Sequence, residues 1–171
     1  MKHETLFKTM VSANSVVYDV GGHRGVYARI FSELVQPKGK VFCFEPHPEK
    51  YADLKARADS CPRKNISPYC LAVSDSTGTT VLYCGDETKA DEASTICPEL
   101  ATHVRLGTEI QQVAVETTTL DSFHQKVRVL PTFVKIDVEG AEHRVLAGMM
   151  DIIRQSRPVI HGQRISNLCQ R

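Results

Sequence analysis

Long apolar runs, an excess of one charge and paired cysteines are all missing from this sequence. No stretch of about 18 apolar residues occurs, so no segment is expected to span a bilayer as a helix. Residues 1–5 are polar and lack the apolar core of a signal peptide. The formal net charge is only +1, and the basic residues are scattered. Charge therefore gives no reason to expect a nucleic-acid partner or an anionic membrane surface.

The six cysteines include no Cys-x-x-Cys pair and no spacing that suits zinc. Cys43 and Cys70 fall inside apolar runs, where a free cysteine behaves as a small hydrophobic residue. We therefore expect reduced thiols and a cytoplasmic protein. The length of 171 residues and a hydrophobic content of 42% predict one domain over residues 1–171.

Short apolar runs alternate with segments in which apolar residues recur at helical spacing, which is typical of an α/β fold with a parallel sheet. Strands are expected at 15–20, 40–44, 65–74, 112–120 and 132–138, with a further strand starting at 158. Helices are expected at 26–35, at 48–60 and through 141–152, and a short one at the amino terminus.

Two segments of the chain have a less regular pattern. Residues 79–84 resemble the returning arm of a hairpin after the third strand. The polar segment 85–112 predicts a long loop with at most a short helix near 98–104. It is either a lid that faces the substrate or plain surface disorder.

The stretch from Val16 to Gly25 predicts a buried strand that runs into a glycine-rich turn. Glycine is favoured where the backbone needs a positive φ or must lie very close to a ligand. Ligands of parallel α/β sheets bind at the carboxyl ends of the strands. The turn is therefore a candidate floor for a small-molecule site, the alternative being a tight turn with no ligand.

Asp19, Glu45 and Asp137 lie at or near the carboxyl ends of three expected strands and should meet at one edge of the sheet. Each acid alone is more often a helix cap or turn former. Glu45 follows Gly25 at about the spacing at which an acid binds the ribose hydroxyls of a nucleotide-type ligand.

The glycine spacing departs from that of dinucleotide-binding turns, because His23 stands where their second glycine would be. An NAD-type oxidoreductase is therefore disfavoured. S-adenosylmethionine has an adenosine but no phosphate, and its ammonium and sulfonium groups suit nearby acids such as Asp19 and Asp137.

Four segments together resemble the successive motifs of FkbM-type class I methyltransferases: Asp19–Tyr27, Phe44–Pro48, Thr119–Asp121 and Lys135–Glu142. The resemblance covers about residues 16–160. It implies a Rossmann-like open sheet with helices on both faces, S-adenosylmethionine as the cofactor, and methyl transfer to a hydroxyl of a sugar, glycan or polyketide-like small molecule.

By position, the resemblance also implies roles for individual residues. The glycine turn (Gly21, Gly22, His23, Gly25) would hold the methionine part and Glu45 the ribose. Pro46 and Ala72 would contact the adenine faces, and Asp137 would lie near the methionine end and the acceptor.

The sequence departs from the family at two places. His23 replaces the usual Asn. The chain also ends soon after residue 160, without the usual last antiparallel strand pair, which leaves the fifth strand as an exposed edge. Homo-oligomerisation through that edge would cover it. A shortened, non-catalytic relative that binds the cofactor or a partner protein is the alternative function.

A hydroxyl acceptor needs a base or a metal to remove its proton. Lys135, Asp137 and Glu139 share one side of the expected strand and are the candidate catalytic residues. Glu139 and Glu142 have an alternative role in favouring a helix amino terminus. The sequence contains no ligand cluster that demands a metal. His47, His143 and His161 are weaker candidate bases, because surface or capping roles are more frequent.

Overall fold

The computed structural model describes residues 2–85, 94–101 and 110–162, in which helices alternate with parallel strands and a second, smaller sheet is inserted. In chain order, the elements are α1 (Lys2–Met10), β1 (Val16–Val20), α2 (Val26–Leu34), β2 (Lys40–Phe44), α3 (Pro48–Ser60), β3 (Ile66–Tyr69), β4 (Ala72–Val73), β5 (Gly78–Cys84), β6 (Ser94–Thr95), α4 (Pro98–Ala101), β7 (Gln111–Thr118), α5 (Leu120–Val127), β8 (Phe133–Ile136), α6 (Glu142–Ala147), α7 (Met150–Ser156) and β9 (Val159–Gly162).

The main sheet has the strand order β3-β2-β1-β8-β9, and every neighbouring pair is parallel. Its strands are apolar on both sides because helices cover both faces. Val17 packs with Phe7 of α1 and Phe31 of α2, whereas the adjacent Tyr18 packs with Phe123 of α5 and Ile152 of α7. The expected open, mainly parallel α/β sheet is confirmed.

The second sheet has the strand order β4-β7-β5-β6, and it corrects two expectations. The third strand, expected over 65–74 with an early break at Pro68, contains Pro68 within β3 and is interrupted after Tyr69, because β3 pairs with β2 in the main sheet and β4 pairs with β7 in the second sheet. Residues 79–84 are not the returning arm of a hairpin with that strand, since β5 pairs antiparallel with β7.

The helical expectations are confirmed for α1, α2 and α3 and are wrong at two places. The expected helix through residues 141–152 is divided into α6 and α7 at Gly148. A Cβ at Gly148 would lie 2.1 Å from the carbonyl oxygen of Ser74, so the backbone there packs directly on the end of β4. Helix α5 was not expected, although its cap has a signal: the Thr119 side chain accepts a hydrogen bond from the Ser122 amide at 3.0 Å.

The polar segment 85–112 is only partly within the described residues. The expected short helix is present as α4, and β6 precedes it. The remainder, residues 86–93 and 102–109, lies outside the described residues. In the part of the chain that is described, no helix has the length and apolar character to span a membrane.

Candidate functional site

A cavity of about 510 Å³ opens at the carboxyl ends of β1, β2 and β8, where parallel α/β sheets place their ligands. This volume is in the range typical of small-molecule sites. We call it the strand-end cavity. Its lining residues are Val20, Gly21, Gly22, His23, Val26, Tyr27, Phe44, Glu45, Pro46, Lys50, Leu71, Ala72, Val73, Leu82, Ser94, Ile96, Asp137, Val138 and Glu139.

Glu45 immediately follows β2, and its side chain is fixed by two backbone donors. The amide of His23 donates to Oε2 at 2.8 Å, and the amide of His47 donates to Oε1 at 2.9 Å. The residue is only 5% exposed. Burial raises the pKa of Glu45 and outweighs the opposing effect of the His47 and His23 amides. The carboxylate is thus held in one orientation beside the cavity.

The glycine turn is held by hydrogen bonds to the end of β2 and by close packing against the loop after β8. The amides of Gly21 and Gly22 both donate to the Phe44 carbonyl oxygen, at 3.0 and 2.9 Å. Gly21 has φ +77°, and a Cβ there would lie 1.9 Å from the carbonyl oxygen of Asp137. The turn after β1 therefore packs directly against the loop after β8, and only glycine fits.

Two residues other than glycine adopt a left-handed backbone at the cavity. His23 has φ +49° and Glu139 has φ +50°. Asn, Asp and His are the non-glycine residues that enter this region most readily. His23 is consequently compatible with the left-handed backbone that the turn requires.

A buried cluster of charges lies directly beneath the cavity. Lys135 Nζ is 3.1 Å from Asp19 Oδ1 and 3.6 Å from Asp137 Oδ2, and it donates to the Gly21 carbonyl oxygen at 3.2 Å. The ring of Tyr27 lies 5.2 Å from the same ammonium. Asp19 and Lys135 are 0% and 3% exposed, so the charges are screened little by solvent.

The pKa values of this cluster show which effects compete. Burial raises the pKa of Asp19, although the neighbouring Lys135 acts in the opposite direction. Burial alone would lower the pKa of Lys135, but Asp19 and Asp137 together raise it above its ordinary value. Lys135 is therefore an ammonium at neutral pH.

Most of the expected site residues lie together at the cavity. Gly21, Gly22, His23, Glu45, Pro46, Ala72, Asp137 and Glu139 all line it. Asp19 and Lys135 lie beneath it, and Gly25 closes the turn by donating its amide to the Gly22 carbonyl oxygen. Of the three candidate histidines, His47 contributes its backbone to Glu45, His143 is exposed, and His161 packs on Phe7. None of the three is a lining residue.

Lys50 and Ser94 are lining residues that the sequence did not indicate. Lys50 lies in the first turn of α3 and is only 2% exposed, and its Nζ donates to Ser94 Oγ of β6 at 3.0 Å. Lysine in the first turn of a helix is normally solvent-exposed, so the local sequence pattern does not indicate that Lys50 lines the cavity. Ile96 also lines the cavity, so part of the expected loop does face the site.

The described ranges contain no group of three His, Cys, Asp or Glu side chains placed to hold a metal ion. The chemical character of the strand-end cavity is instead set by Glu45, Asp137 and Glu139 and by the apolar wall opposite them. Leu71, Ala72 and Val73 form part of that wall.

The parallel sheet with a cavity at its strand ends defines a doubly wound α/β ligand-binding domain. A family model described as the Methyltransferase FkbM domain matches residues 19–167. The chain belongs to the FkbM methyltransferase family, which confirms the resemblance seen in its motifs.

Individual relatives are similar over most of this chain. It is 28% identical to the 2-O-methyltransferase NoeI of Sinorhizobium fredii, over 91% of this chain and 65% of that protein. It is 31% identical to the hexuronic acid methyltransferase AglP of Haloferax volcanii, over 86% of this chain and 55% of that protein. The chain thus spans less than two thirds of either relative.

A solved structure of an rRNA methylase from Streptococcus thermophilus has the same fold. The similarity covers 98% of this chain and 73% of that one, with a TM-score of 0.52 and 11% sequence identity.

Proposed function

We propose that this protein transfers a methyl group from S-adenosylmethionine to a hydroxyl of a sugar or glycan. The observation that carries the proposal is Glu45, whose two carboxylate oxygens are each held by a backbone amide at the edge of the strand-end cavity. This arrangement suits a pair of ribose hydroxyls, and such charge-assisted bonds contribute roughly 1.5–3 kcal/mol each. The names of the two relatives, a 2-O-methyltransferase and a hexuronic acid methyltransferase, support the sugar acceptor.

The residues of the cavity fit the parts of the cofactor. Ala72 and Pro46 offer apolar surfaces for an adenine, and Glu45 binds the ribose. Asp137, at the end beside the glycine turn, offers a negative charge to the methionine ammonium. The cofactor supplies an electrophilic methyl group. Positioning of the acceptor against that group supplies much of the rate in such a displacement.

Asp137 and Glu139 are the proposed acceptor-side residues. Both line the strand-end cavity, and a carboxylate can accept the proton that an acceptor hydroxyl loses. Lys135 lies beneath the floor. It is therefore not placed to touch reacting atoms, and we assign it a positioning role.

Isothermal titration with two ligands tests the cofactor site. S-adenosylhomocysteine is the demethylated product of the cofactor. Methylthioadenosine keeps the adenosine but lacks the amino acid end. Glu45→Gln should weaken both ligands by about tenfold to a hundredfold. Glu49→Gln is the matched control, because Glu49 is a nearby glutamate that is exposed in the first turn of α3. Absence of binding of both ligands to the unaltered protein would contradict the proposal.

Methylation of uronic-acid and neutral sugar acceptors with labelled S-adenosylmethionine tests the reaction. Transfer of label that depends on Glu45 supports the enzyme. Tight binding of the product with no transfer to any acceptor would instead favour the non-catalytic alternative. The cytoplasmic location and an oligomer through the edge of β9 stay predictions; sedimentation velocity tests the second.

A further inference from the structure

Lys135 connects three parts of the candidate site without lining the strand-end cavity. Its ammonium lies within 4 Å of carboxylate oxygens of Asp19 on β1 and Asp137 after β8. It also donates to the carbonyl oxygen of Gly21 in the glycine turn. One buried cation thus links two acids that would otherwise face each other with like charge.

The ionisable groups facing this cluster come from every element packed against it: Asp19 from β1, Cys43 from β2, Tyr27 from α2, Glu45 from the end of β2 and Asp137 from the end of β8. Cys43 Sγ is 4.0 Å from Asp19 Oδ2, and burial raises the pKa of that thiol well above its ordinary value. The thiol therefore stays neutral. Lys135 is the cation that contacts both Asp19 and Asp137.

We propose that Lys135 is a positioning residue that fixes the Asp137 carboxylate and the glycine turn so that Asp137 binds the α-ammonium of the cofactor. This inference rests on the proposed function, because it assigns the methionine end of the ligand to Asp137. The geometry supports it in two ways. The ammonium of Lys135 pairs with Oδ2 of Asp137, and its hydrogen bond to Gly21 holds the turn that packs on the Asp137 carbonyl oxygen.

Removal of the cation should affect only one end of the ligand. In Lys135→Met, the ion pair to Asp137 Oδ2 and the hydrogen bond to the Gly21 carbonyl oxygen are both lost. The Asp137 carboxylate and the glycine turn are then less firmly fixed, which weakens their hold on the amino acid end of the ligand. The substitution leaves Glu45 and the adenosine end unchanged.

Titration calorimetry near neutral pH provides the test. Lys135→Met should weaken the binding of S-adenosylhomocysteine roughly tenfold or more. Methylthioadenosine, which has no amino acid end, should bind as it does to the unaltered protein. Lys40→Met, at an exposed lysine that begins β2, is the control and should change neither affinity.

The double variant Asp19→Asn with Lys135→Met removes the cation and its buried partner acid together. It should also bind S-adenosylhomocysteine weakly and methylthioadenosine normally, because nothing in it replaces the contacts of Lys135 with Asp137 and Gly21. It has no unpaired buried charge at these two positions, which preserves the test if the single variant fails to fold.

Three results would overturn the inference: unchanged product affinity in Lys135→Met, equal weakening of both ligands, or full product affinity in the double variant. Each differs from failure of the proposed function, in which the unaltered protein binds neither ligand.

Discussion

Gly21 is the residue at which two distant motifs of the chain touch. Its positive φ disfavours any side chain, and the Asp137 carbonyl oxygen occupies the place of a Cβ. Either constraint alone would favour glycine. The close contact also means that the glycine turn and the loop after β8 form one continuous floor of the strand-end cavity, and this floor depends on their staying together.

Gly21→Ala should lower the free energy of unfolding by about 2–5 kcal/mol, because backbone strain and overpacking add. Urea denaturation measures the loss. Gly22→Ala is the control: a Cβ there would make only ordinary contacts, the nearest 3.4 Å from Leu54 Cδ2, so a loss below about 1 kcal/mol is expected. Similar losses in the two variants would contradict the role given to the Asp137 contact.

The ribose contact proposed for Glu45 predicts that cofactor binding depends on pH. A carboxylate accepts hydrogen bonds from hydroxyls best when it is charged, and burial raises the pKa of Glu45 above the ordinary 4.5. Affinity for methylthioadenosine should therefore fall as pH is lowered, and the fall should begin at a higher pH than an exposed glutamate would give. Titration calorimetry over a pH series measures this affinity. Glu45→Gln should bind weakly at every pH, and an equal fall in that variant would assign the titration to another group.

At the scale of elements, the segment Thr119–Asp121 connects α5 to α7. Thr119 caps α5. The Asp121 carboxylate accepts hydrogen bonds from the amides of Asp151 and Ile152, at 3.0 and 2.9 Å, in the first turn of α7. This motif, which the family resemblance identified, therefore has a structural role away from the cavity.

Asp121→Ala should destabilise the protein by about 1–2 kcal/mol, the usual effect of losing a helix cap, without changing the affinity for S-adenosylhomocysteine. Thermal unfolding and titration calorimetry measure the two quantities. Asp151→Ala is the control, because its carboxylate pairs with the exposed Arg154 within α7, and such pairs contribute little. A loss of product affinity in Asp121→Ala would contradict a purely structural role.

The sequence predicted those elements whose signals are local. The apolar runs of β1, β2 and β8, the glycine turn and the helical spacing of α2 each lie within a short window. The pairing of β5 with β7 is not a local signal, because partners such as Thr80 and Val115 are far apart in sequence. Strand β4 has two residues, too few for any periodicity.

The candidate site was predictable to a similar extent. Glu45 and Asp137 follow apolar strands, and the ends of neighbouring parallel strands meet. The residues next to a side chain in sequence do not show how deeply that side chain lies below the cavity. Asp19 and Lys135 pair directly across β1 and β8, and Tyr27 of α2 lies over the Lys135 ammonium. Lys50 faces inward, where Ser94 of the second sheet accepts its hydrogen bond.

At the scale of the whole molecule, the two faces of the main sheet pack on different helices and have different structural roles. One face packs on α5, α6 and α7 through an aromatic group centred on Phe123, whose ring lies 4.8 Å from both Phe44 and Tyr69. The other face packs on α1, α2 and α3 and also holds the Lys135 cluster. Packing of the second face therefore supports the floor of the strand-end cavity.

Phe7 of α1 anchors this second face. It is 1% exposed and contacts the rings of Phe31, Phe133 and His161. Phe7→Ala should lower the free energy of unfolding by about 3–5 kcal/mol. Leu6→Ala, at a neighbouring residue that is 40% exposed, should change it by less than about 1 kcal/mol. Urea denaturation compares the two, and equal effects would show that α1 does not anchor the sheet.

The contact between Gly21 and Asp137 also has a consequence for the order in which the protein becomes competent during synthesis. The ribosome makes the glycine turn and Glu45 early, but Lys135, which follows Gly21 by 114 residues, and Asp137, which completes the floor, are made much later. A growing chain therefore has the Glu45 carboxylate long before it has the floor on which the rest of a ligand would lie. Cofactor capture should accompany the last steps of folding, and the ligand should protect the finished protein rather than guide the nascent one.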